Sequence, residues 1–185
     1  MDEQQSHHEH GTHTSQDHPS YLTHKTQGER ALDCMVVTCS DSRTPDTDTS
    51  GKLLCHLLKE KGHRIVDYRL IKDEPVDIRT LLLQVIEQNT VQVVIINGGT
   101  GISRRDTTFE AVDSFLEKRL EGFGELFRYL SYQEIGSAAM LSRATAGIHG
   151  RLVIFSVPGS QGAVRLAMER LILPELTHIA GELNK

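Results

Sequence analysis

From residue 31 onward, the sequence predicts an α/β fold, a three-layer α/β/α sandwich with a mostly parallel sheet. Short runs of β-branched and apolar residues alternate with longer segments whose apolar residues recur at helical spacing. This alternation is typical of a sheet covered by helices on both faces. The run 91–96 is apolar almost throughout, as expected for a central strand buried on both sides.

The strands and helices can be placed in order along the chain. We predict strands at 34–38, 65–71, 91–96 and 152–157. In the second strand, alternation would place Val66, Tyr68 and Leu70 on one face. The first helix is expected to be capped by Thr49 or Ser50, and the second to begin at Pro75, which suits a first helical turn.

Local signals also divide the second half of the chain. Thr107–Glu110 resembles a capping box ahead of a helix whose apolar face comprises Val112, Phe115, Leu116 and Leu120. We expect Gly122–Gly124 to break this helix from a following one. A final helix follows the last strand, and Pro174 is expected to kink or restart it.

Composition excludes several classes of protein. The 185 residues carry 20 Lys and Arg against 25 Asp and Glu, a formal net charge of −5, whereas duplex nucleic-acid binders usually have a basic excess. No apolar run approaches the roughly 20 residues that span a bilayer, and the polar N-terminus is unlike a secretory signal. The three cysteines lie among apolar neighbours and indicate buried thiols of a reducing compartment. We therefore expect a cytoplasmic protein with neither nucleic-acid nor membrane partners.

Residues 1–30 differ in composition from the rest. They contain six of the ten histidines and almost no apolar residues, which predicts a disordered tail ahead of a folded domain at 31–185. Histidine-rich tracts also bind transition metals, but the irregular spacing favours a plain solvated tail.

Unusual residues follow three of the predicted strands. Ser40–Arg43 comes after the first, Gly98-Gly99-Thr100-Gly101 with Arg104, Arg105 and Asp106 after the third, and Pro158-Gly159-Ser160 after the last. Ligands in open α/β sheets bind beyond the carboxyl ends of strands. Glycine amides can surround an oxyanion, arginines can neutralise phosphate, and an aspartate can hold Mg²⁺. The pattern indicates a nucleotide or another phosphorylated ligand.

Other interpretations stay open for these residues. The GGTG sequence could be a plain tight turn; it is neither a Walker loop nor a Rossmann fingerprint. Asp73 or Glu74 could merely cap the helix at Pro75, and Asp41 could be a turn residue. A catalytic Cys39 would need a partner histidine, and no histidine lies near it in the sequence.

Six short segments recur together in one known family. These segments are Ser40-Asp41-Ser42-Arg43, Asp48-Thr49-Ser50-Gly51, GGTG with Arg105-Asp106, residues 122–128, Met140-Leu141-Ser142-Arg143-Ala144 and Pro158-Gly159-Ser160. In order and spacing, the chain resembles the MoaB/MogA family of molybdenum cofactor biosynthesis proteins over about residues 31–182. Its short form is more similar to the MoaB branch, and the histidine-rich tail lies outside the family pattern.

The resemblance implies a fold, an assembly and a reaction. The family fold contains a mixed sheet and assembles as a trimer or as a hexamer of two trimers. The implied reaction is Mg²⁺- and ATP-dependent adenylylation of molybdopterin with release of pyrophosphate, and the implied partners are other proteins of that biosynthesis. Asp73 and Asp106 would be the catalytic, Mg²⁺-binding residues.

The resemblance also implies binding residues. Gly98, Gly99, Thr100, Gly101, Arg105, Ser142 and Arg143 would hold the nucleotide. Ser40, Asp41, Pro158, Gly159 and Ser160 would line the same pocket.

Three functions remain open from the sequence. The first is the transferase, and the second is a molybdopterin-binding or carrier protein with little or no transferase activity. The third is an unrelated sugar-nucleotide or dinucleotide enzyme that shares only the α/β plan. For assembly, we expect Phe123, Leu126, Phe127 and Tyr129 to be buried between subunits.

Overall fold

The computed structural model describes residues 30–183, which form one six-stranded sheet between layers of helices. The strands are β1 (Asp33–Cys39), β2 (Arg64–Ile71), β3 (Val93–Asn97), β4 (Lys118–Arg119), β5 (Thr145–His149) and β6 (Leu152–Val157). The helices are α1 (Thr49–Glu60), α2 (Pro75–Gln88), α3 (Thr108–Asp113), α4 (Glu121–Ile135), α5 (Gln161–Ala167) and α6 (Leu173–Glu182). A 3-10 segment (Gly136–Leu141) precedes β5, and a π-helical segment (Met168–Ile172) joins α5 to α6. The histidine-rich tail predicted at residues 1–30 lies almost entirely outside the described residues.

The sheet is mixed and confirms the predicted fold class. Its strand order is β2-β1-β3-β6-β5-β4. Strands β2, β1, β3 and β6 are parallel, whereas β5 runs antiparallel to β6 and β4 antiparallel to β5. All five residues of β3 are buried between β1 and β6, so the central strand predicted from its apolar run is correct.

Buried side chains pack on both faces of the sheet. Two hydrophobic cores lie on opposite faces of the sheet, and alternate residues of β1 belong to one or the other. Cys34 and Val36 belong to the first core, and Met35 and Val37 belong to the second. Helices α1, α4, α5 and α6 cover the first face, and α2 and α3 the second. Of the two cores, the second lies beneath the loops in which catalytic aspartates are predicted.

Two of the predicted helix starts need correction. Asp48 caps α1, because its side chain accepts from the Gly51 N–H; Thr49 and Ser50 lie inside the helix. The capping box at Thr107–Glu110 does not form, since Thr107 makes no side-chain cap bond and α3 ends at Asp113.

The other corrections concern a helix break and a strand face. Gly122–Gly124 lie inside α4 rather than before it. On β2, Val66 is 48% exposed because the register with β1 shifts between Cys34 and Met35. This bulge removes Val66 from the expected face and disrupts the strict alternation. Pro174 lies in the first turn of α6, directly after the π-helical segment, as predicted for a restarted helix.

Within residues 30–183, no helix is both long enough and apolar enough to cross a membrane.

Candidate functional site

The structure brings together the loops that follow β1, β3 and β6. These strands are parallel neighbours, so their carboxyl ends meet at one edge of the sheet. The Gly98 N–H donates to the Val157 carbonyl at 3.1 Å. A Cβ on Gly98, whose φ is +102°, would lie 2.2 Å from the Cys39 carbonyl oxygen, so both conformation and space require glycine there.

Asp73 packs against the glycine-rich loop from the end of β2. Gly99 has a φ of +57°, and a Cβ there would lie 2.1 Å from Asp73 Oδ2. The Gly99 carbonyl accepts from the Thr108 N–H at 3.0 Å. The glycine therefore allows the loop to contact both the carboxylate and the start of α3.

Asp73 holds the start of α3 rather than capping α2. Its Oδ1 accepts from the Thr107 N–H at 3.2 Å, the Thr107 hydroxyl at 3.1 Å and the Thr108 hydroxyl at 2.9 Å. The residue is only 6% exposed. Glu74 occupies the N-cap position of α2 but makes no side-chain cap bond, so neither Asp73 nor Glu74 caps α2 with its side chain. The Thr107 hydroxyl that was expected in a capping box instead bonds Asp73.

Asp106 lies at the far end of the same loop. Its Oδ2 accepts from the Ser103 N–H at 2.9 Å, and a Cβ on Gly101 would lie 2.5 Å from that oxygen. Asp106 thus closes a turn within the loop and does not cap α3, which begins at Thr108. Both proposed catalytic carboxylates therefore contact the GGTG loop, Asp73 at Gly99 and Asp106 at Gly101.

Arg105 joins three loops through ion pairs. Its guanidinium lies 2.7 Å from Asp41 Oδ2 and 2.8 Å from Glu74 Oε1. The hydrogen bond from Arg105 lowers the pKa of the Asp41 carboxyl below its usual value. Asp41 Oδ1 also accepts from the Asp73 N–H at 3.4 Å. Asp41 is therefore an ion-pair partner of Arg105 and more than a turn residue.

Arg143 joins the opposite side of the site. Its Nε donates to the Thr100 carbonyl at 2.9 Å, and the guanidinium also contacts the Gly101 carbonyl and Glu110. The hydrogen bond from Arg143 lowers the pKa of Glu110. Arg143 also lies over the Phe109 ring, 4.8 Å from its centroid. The half-buried Ser142 precedes it, directly after the 3-10 segment.

The remaining predicted pocket residues shape the loops around Gly98. The Ser40 hydroxyl accepts from the Arg43 N–H at 3.2 Å and so holds the first loop in a turn. Ser160 caps α5, because its hydroxyl accepts from the Ala163 N–H at 3.2 Å. Pro158 and Gly159 connect β6 to this cap, next to Gly98.

The carboxylates present fit Mg²⁺ that is shared with a phosphorylated substrate. Within residues 30–183, no group of three or more His, Cys, Asp or Glu side chains could hold a metal by itself. Mg²⁺ is usually held by only one or two carboxylates together with substrate phosphates and water. Asp73 and Asp106 are two carboxylates that border one glycine-rich loop, and each accepts its hydrogen bonds through a single oxygen.

The cysteines of the described domain are free thiols. Cys39 is buried next to the site, and its burial raises the pKa of the thiol to about 12. A protonated thiol is a poor nucleophile, so the geometry gives no support to a catalytic Cys39. Cys55, on α1, is only partly buried.

Sequence reasoning missed a buried polar cluster at this edge of the sheet. Asp48, Ser50 and Asn97 are fully buried, and the Ser50 hydroxyl lies 2.8 Å from Asn97 Oδ1. Arg43 and Tyr68 both donate to Asp48. Two signals could have found this cluster: Asp48-Thr49-Ser50-Gly51 is one of the segments shared with the family, and Asp48 directly precedes a helical pattern, where an N-cap carboxylate is common.

Comparison with known proteins identifies the family of this chain. Residues 35–178 match the family model described as "Probable molybdopterin binding domain". The chain belongs to this family. Its role is in molybdenum cofactor biosynthesis, and the resemblance to the MoaB/MogA proteins is confirmed.

Individual members of the family are similar over almost their whole length. The molybdenum cofactor biosynthesis protein B of Bacillus cereus is 53% identical over 167 residues, 90% of this chain and 99% of that protein. A crystal structure of a molybdenum cofactor biosynthesis protein B shares 55% identity with a TM-score of 0.82, covering 85% of this chain and 99% of that one. The tungsten cofactor synthesizing protein MoaB from Pyrococcus furiosus is 36% identical with a TM-score of 0.75, over 84% and 99% of the two chains.

Proposed function

We propose that this protein adenylylates molybdopterin in a Mg²⁺- and ATP-dependent reaction. An oxygen of the pterin's terminal phosphate forms a bond to the α-phosphorus of ATP, the bond between that phosphorus and the bridging oxygen to the β-phosphate breaks, and pyrophosphate leaves. The contact of both Asp73 and Asp106 with one glycine-rich loop carries this proposal, because it puts two carboxylates beside a loop suited to phosphate.

The residues of this chain would contribute mainly by positioning and charge neutralisation. Phosphoryl transfer needs little covalent chemistry from the protein, so aligned phosphates and fixed charges provide most of the acceleration. The amides of the GGTG loop would bind phosphate oxygens, and Arg105 and Arg143 border that loop from two sides. Mg²⁺, held by Asp73 and Asp106, would neutralise charge that develops on the phosphates.

A concave surface that the pterin would use lies between α3 and α4. This polar cavity has a volume of about 210 Å³ and is bordered by Phe109, whose ring lies under the Arg143 guanidinium. Its lining includes Phe109, Gly124, Arg128, Ala144 and Thr145. A planar ring with polar edges suits a pocket that combines an aromatic side chain with cations.

One observation favours the alternative of a molybdopterin-binding or carrier protein. Arg105 is already paired with Asp41 and Glu74, and Arg143 with Glu110 and two loop carbonyls. ATP would have to displace these partners before either guanidinium could bind phosphate. A protein that only holds the pterin would not need that exchange.

Pyrophosphate release distinguishes the two functions. We expect the protein with molybdopterin, Mg²⁺ and ATP to release pyrophosphate, and Asp106→Ala to bind the pterin within about tenfold of wild type but to lose transfer by orders of magnitude. Asp67→Ala is the matched control, because that carboxylate pairs with Arg69 on the edge strand. Tight pterin binding by the wild type without pyrophosphate release would establish the carrier, and full activity of Asp106→Ala would remove Asp106 from the mechanism.

Assembly as a trimer or hexamer is part of this proposal, with one change to the predicted interface. Phe123 and Phe127 are buried in the core of the single chain, whereas Leu126 and Tyr129 are 53% and 59% exposed on α4. The exposed pair therefore remains available for subunit contact. We also propose that the protein works in the cytoplasm with other proteins of the same biosynthesis.

A further inference from the structure

A fully buried carboxylate lies beneath the candidate site, outside the proposed phosphate and metal contacts. Asp48 accepts hydrogen bonds at Oδ1 from the Gly51 N–H at 3.0 Å and from the Ser50 hydroxyl at 3.1 Å, and at Oδ2 from the Tyr68 hydroxyl. Burial alone would raise the pKa of Asp48, but hydrogen bonds from Thr38, Tyr68, Gly51 and Ser50 hold it below the usual value. The side chain is therefore a fixed buried anion.

Arg43 is the cation that faces this anion. Its Nη1 donates to Asp48 Oδ1 at 3.2 Å and also contacts the Ser50 hydroxyl. The Nη2 of the same guanidinium donates to the Gly159 carbonyl at 2.8 Å. One side chain thus connects the loop after β1 to the turn after β6, 116 residues away in the sequence.

The turn that Arg43 holds rests on the glycine-rich loop. A Cβ on Gly159 would lie 3.1 Å from Gly98 Cα, so the two backbones are in close contact. The Gly98 N–H donates to the Val157 carbonyl, just before the turn. Asn97, the residue before Gly98, is bound into the same buried cluster through Ser50. A shift of the 158–160 turn would therefore move the first glycine of the GGTG loop.

We propose that Arg43, held in place by Asp48, is a positioning residue that clamps the 158–160 turn and thereby fixes the GGTG loop for its ligand. The ligand part of this proposal depends on the proposed function, whereas the clamp itself does not. A loop that is held in its binding-competent conformation binds more tightly than one that reaches this conformation for only part of the time. The clamp should therefore act on affinity for the nucleotide more than on the chemical step.

Arg43→Lys separates the clamp from the ion pair. A lysine can keep a positive charge beside Asp48, but a single ammonium cannot reproduce the planar fork that spans Asp48 and the Gly159 carbonyl. Arg43→Gln removes the charge as well. Arg64→Lys is the matched control. Arg64 makes a bidentate pair with Asp33 at the first residues of β2 and β1, the ends of these strands that lie away from the site.

Amide hydrogen exchange tests the clamp without any ligand. We expect Arg43→Lys to retain the wild-type far-UV circular dichroism and melting transition, while exchange in segments 97–101 and 158–161 accelerates about tenfold or more. Arg64→Lys should leave both segments unchanged. Exchange within twofold of wild type in Arg43→Lys would overturn the clamp, whatever the protein binds.

Kinetics test what the clamp is for. With molybdopterin and Mg²⁺ present, Arg43→Lys should raise the KM for ATP about tenfold and change kcat less than threefold. Faster exchange with unchanged KM would show that the clamp is only structural and would overturn the positioning role. If the wild type itself transfers no adenylyl group, the proposed function fails, and the affinity for molybdopterin becomes the test of the clamp. An affinity about tenfold weaker in Arg43→Lys would then support the positioning role. An unchanged affinity would overturn it.

Discussion

Asp73 provides the sharpest test of how the site is built, because the structure gives it two separable roles. Its Oδ1 accepts three hydrogen bonds from Thr107 and Thr108 at the start of α3, while Oδ2 lies against Gly99. Each hydrogen bond to a charged group contributes about 1.5–3 kcal/mol to stability, and freed hydroxyls can partly find other partners. We therefore expect Asp73→Ala to lower the free energy of unfolding by about 3 kcal/mol.

Asp73→Asn keeps the acceptor oxygen but removes the charge. We expect it to lower the free energy of unfolding by only about 1 kcal/mol, because an amide oxygen can still accept from Thr107 and Thr108. Its adenylyl transfer should nevertheless fall by orders of magnitude, since a neutral amide binds Mg²⁺ poorly. Asp106→Ala should lower the free energy of unfolding by about 1 kcal/mol, because Asp106 accepts from one exposed loop amide, that of Ser103.

Urea titration followed by circular dichroism measures these differences, with Asp67→Ala as the surface control. If the unfolding free energy of Asp73→Ala lies within about 0.5 kcal/mol of the wild-type value, Asp73 does not hold the start of α3. Asp73→Asn with full transferase activity would refute its role at the metal while leaving the structural role intact.

Three further predictions concern stability and assembly. Among the described residues, Ser156 carries the one buried side-chain nitrogen or oxygen atom without a hydrogen-bond partner. Ser156→Ala should therefore raise the free energy of unfolding by about 1 kcal/mol in a urea titration, and a lower value than wild type would contradict this. The pKa of Asp48 is lowered in the folded protein. Its contribution to stability is therefore complete above the unfolded pKa of about 3.9 and is lost as the pH falls through the folded pKa. Asp48→Asn should flatten the dependence of the unfolding free energy on pH below about pH 4, and an unchanged dependence would contradict an ionised buried carboxylate. Light scattering should give the mass of three or six chains, and Leu126→Glu with Tyr129→Glu should lower it; a wild-type monomer at micromolar concentration would contradict the assembly.

The main plan of the fold was predictable because long apolar patterns carry it. The run 91–96 indicated a central strand, and β3 lies at the centre of the sheet. Strand β5 carried no such pattern, because its residues Thr145–His149 include Gly147 and two polar side chains. Gly124 looked like a helix breaker, yet a Cβ there would lie 2.8 Å from the Ala144 carbonyl. The glycine therefore permits close packing of α4, which no local pattern reveals.

The candidate site was predictable in its loops but not in its contacts. Glycines and charged residues at strand ends identified the loops, since parallel strands bring those ends together. Arg105 and Asp41 pair across 64 positions in the sequence, and Arg43 and Gly159 are 116 positions apart. Such contacts depend on tertiary packing, so the sequence could name the residues without showing which of them neutralise each other.

Transfer of label from ATP to the pterin would show adenylylation itself. The protein would be incubated with molybdopterin, Mg²⁺ and ATP labelled at the α-phosphate, and the pterin product analysed by chromatography and mass spectrometry. We expect the label to appear on the pterin as an adenylyl group, in amounts equal to the pyrophosphate released. Asp106→Ala should yield no labelled pterin, and Asp67→Ala should match the wild type. Pterin that is bound tightly but remains unlabelled would contradict the transferase and leave a molybdopterin-binding protein.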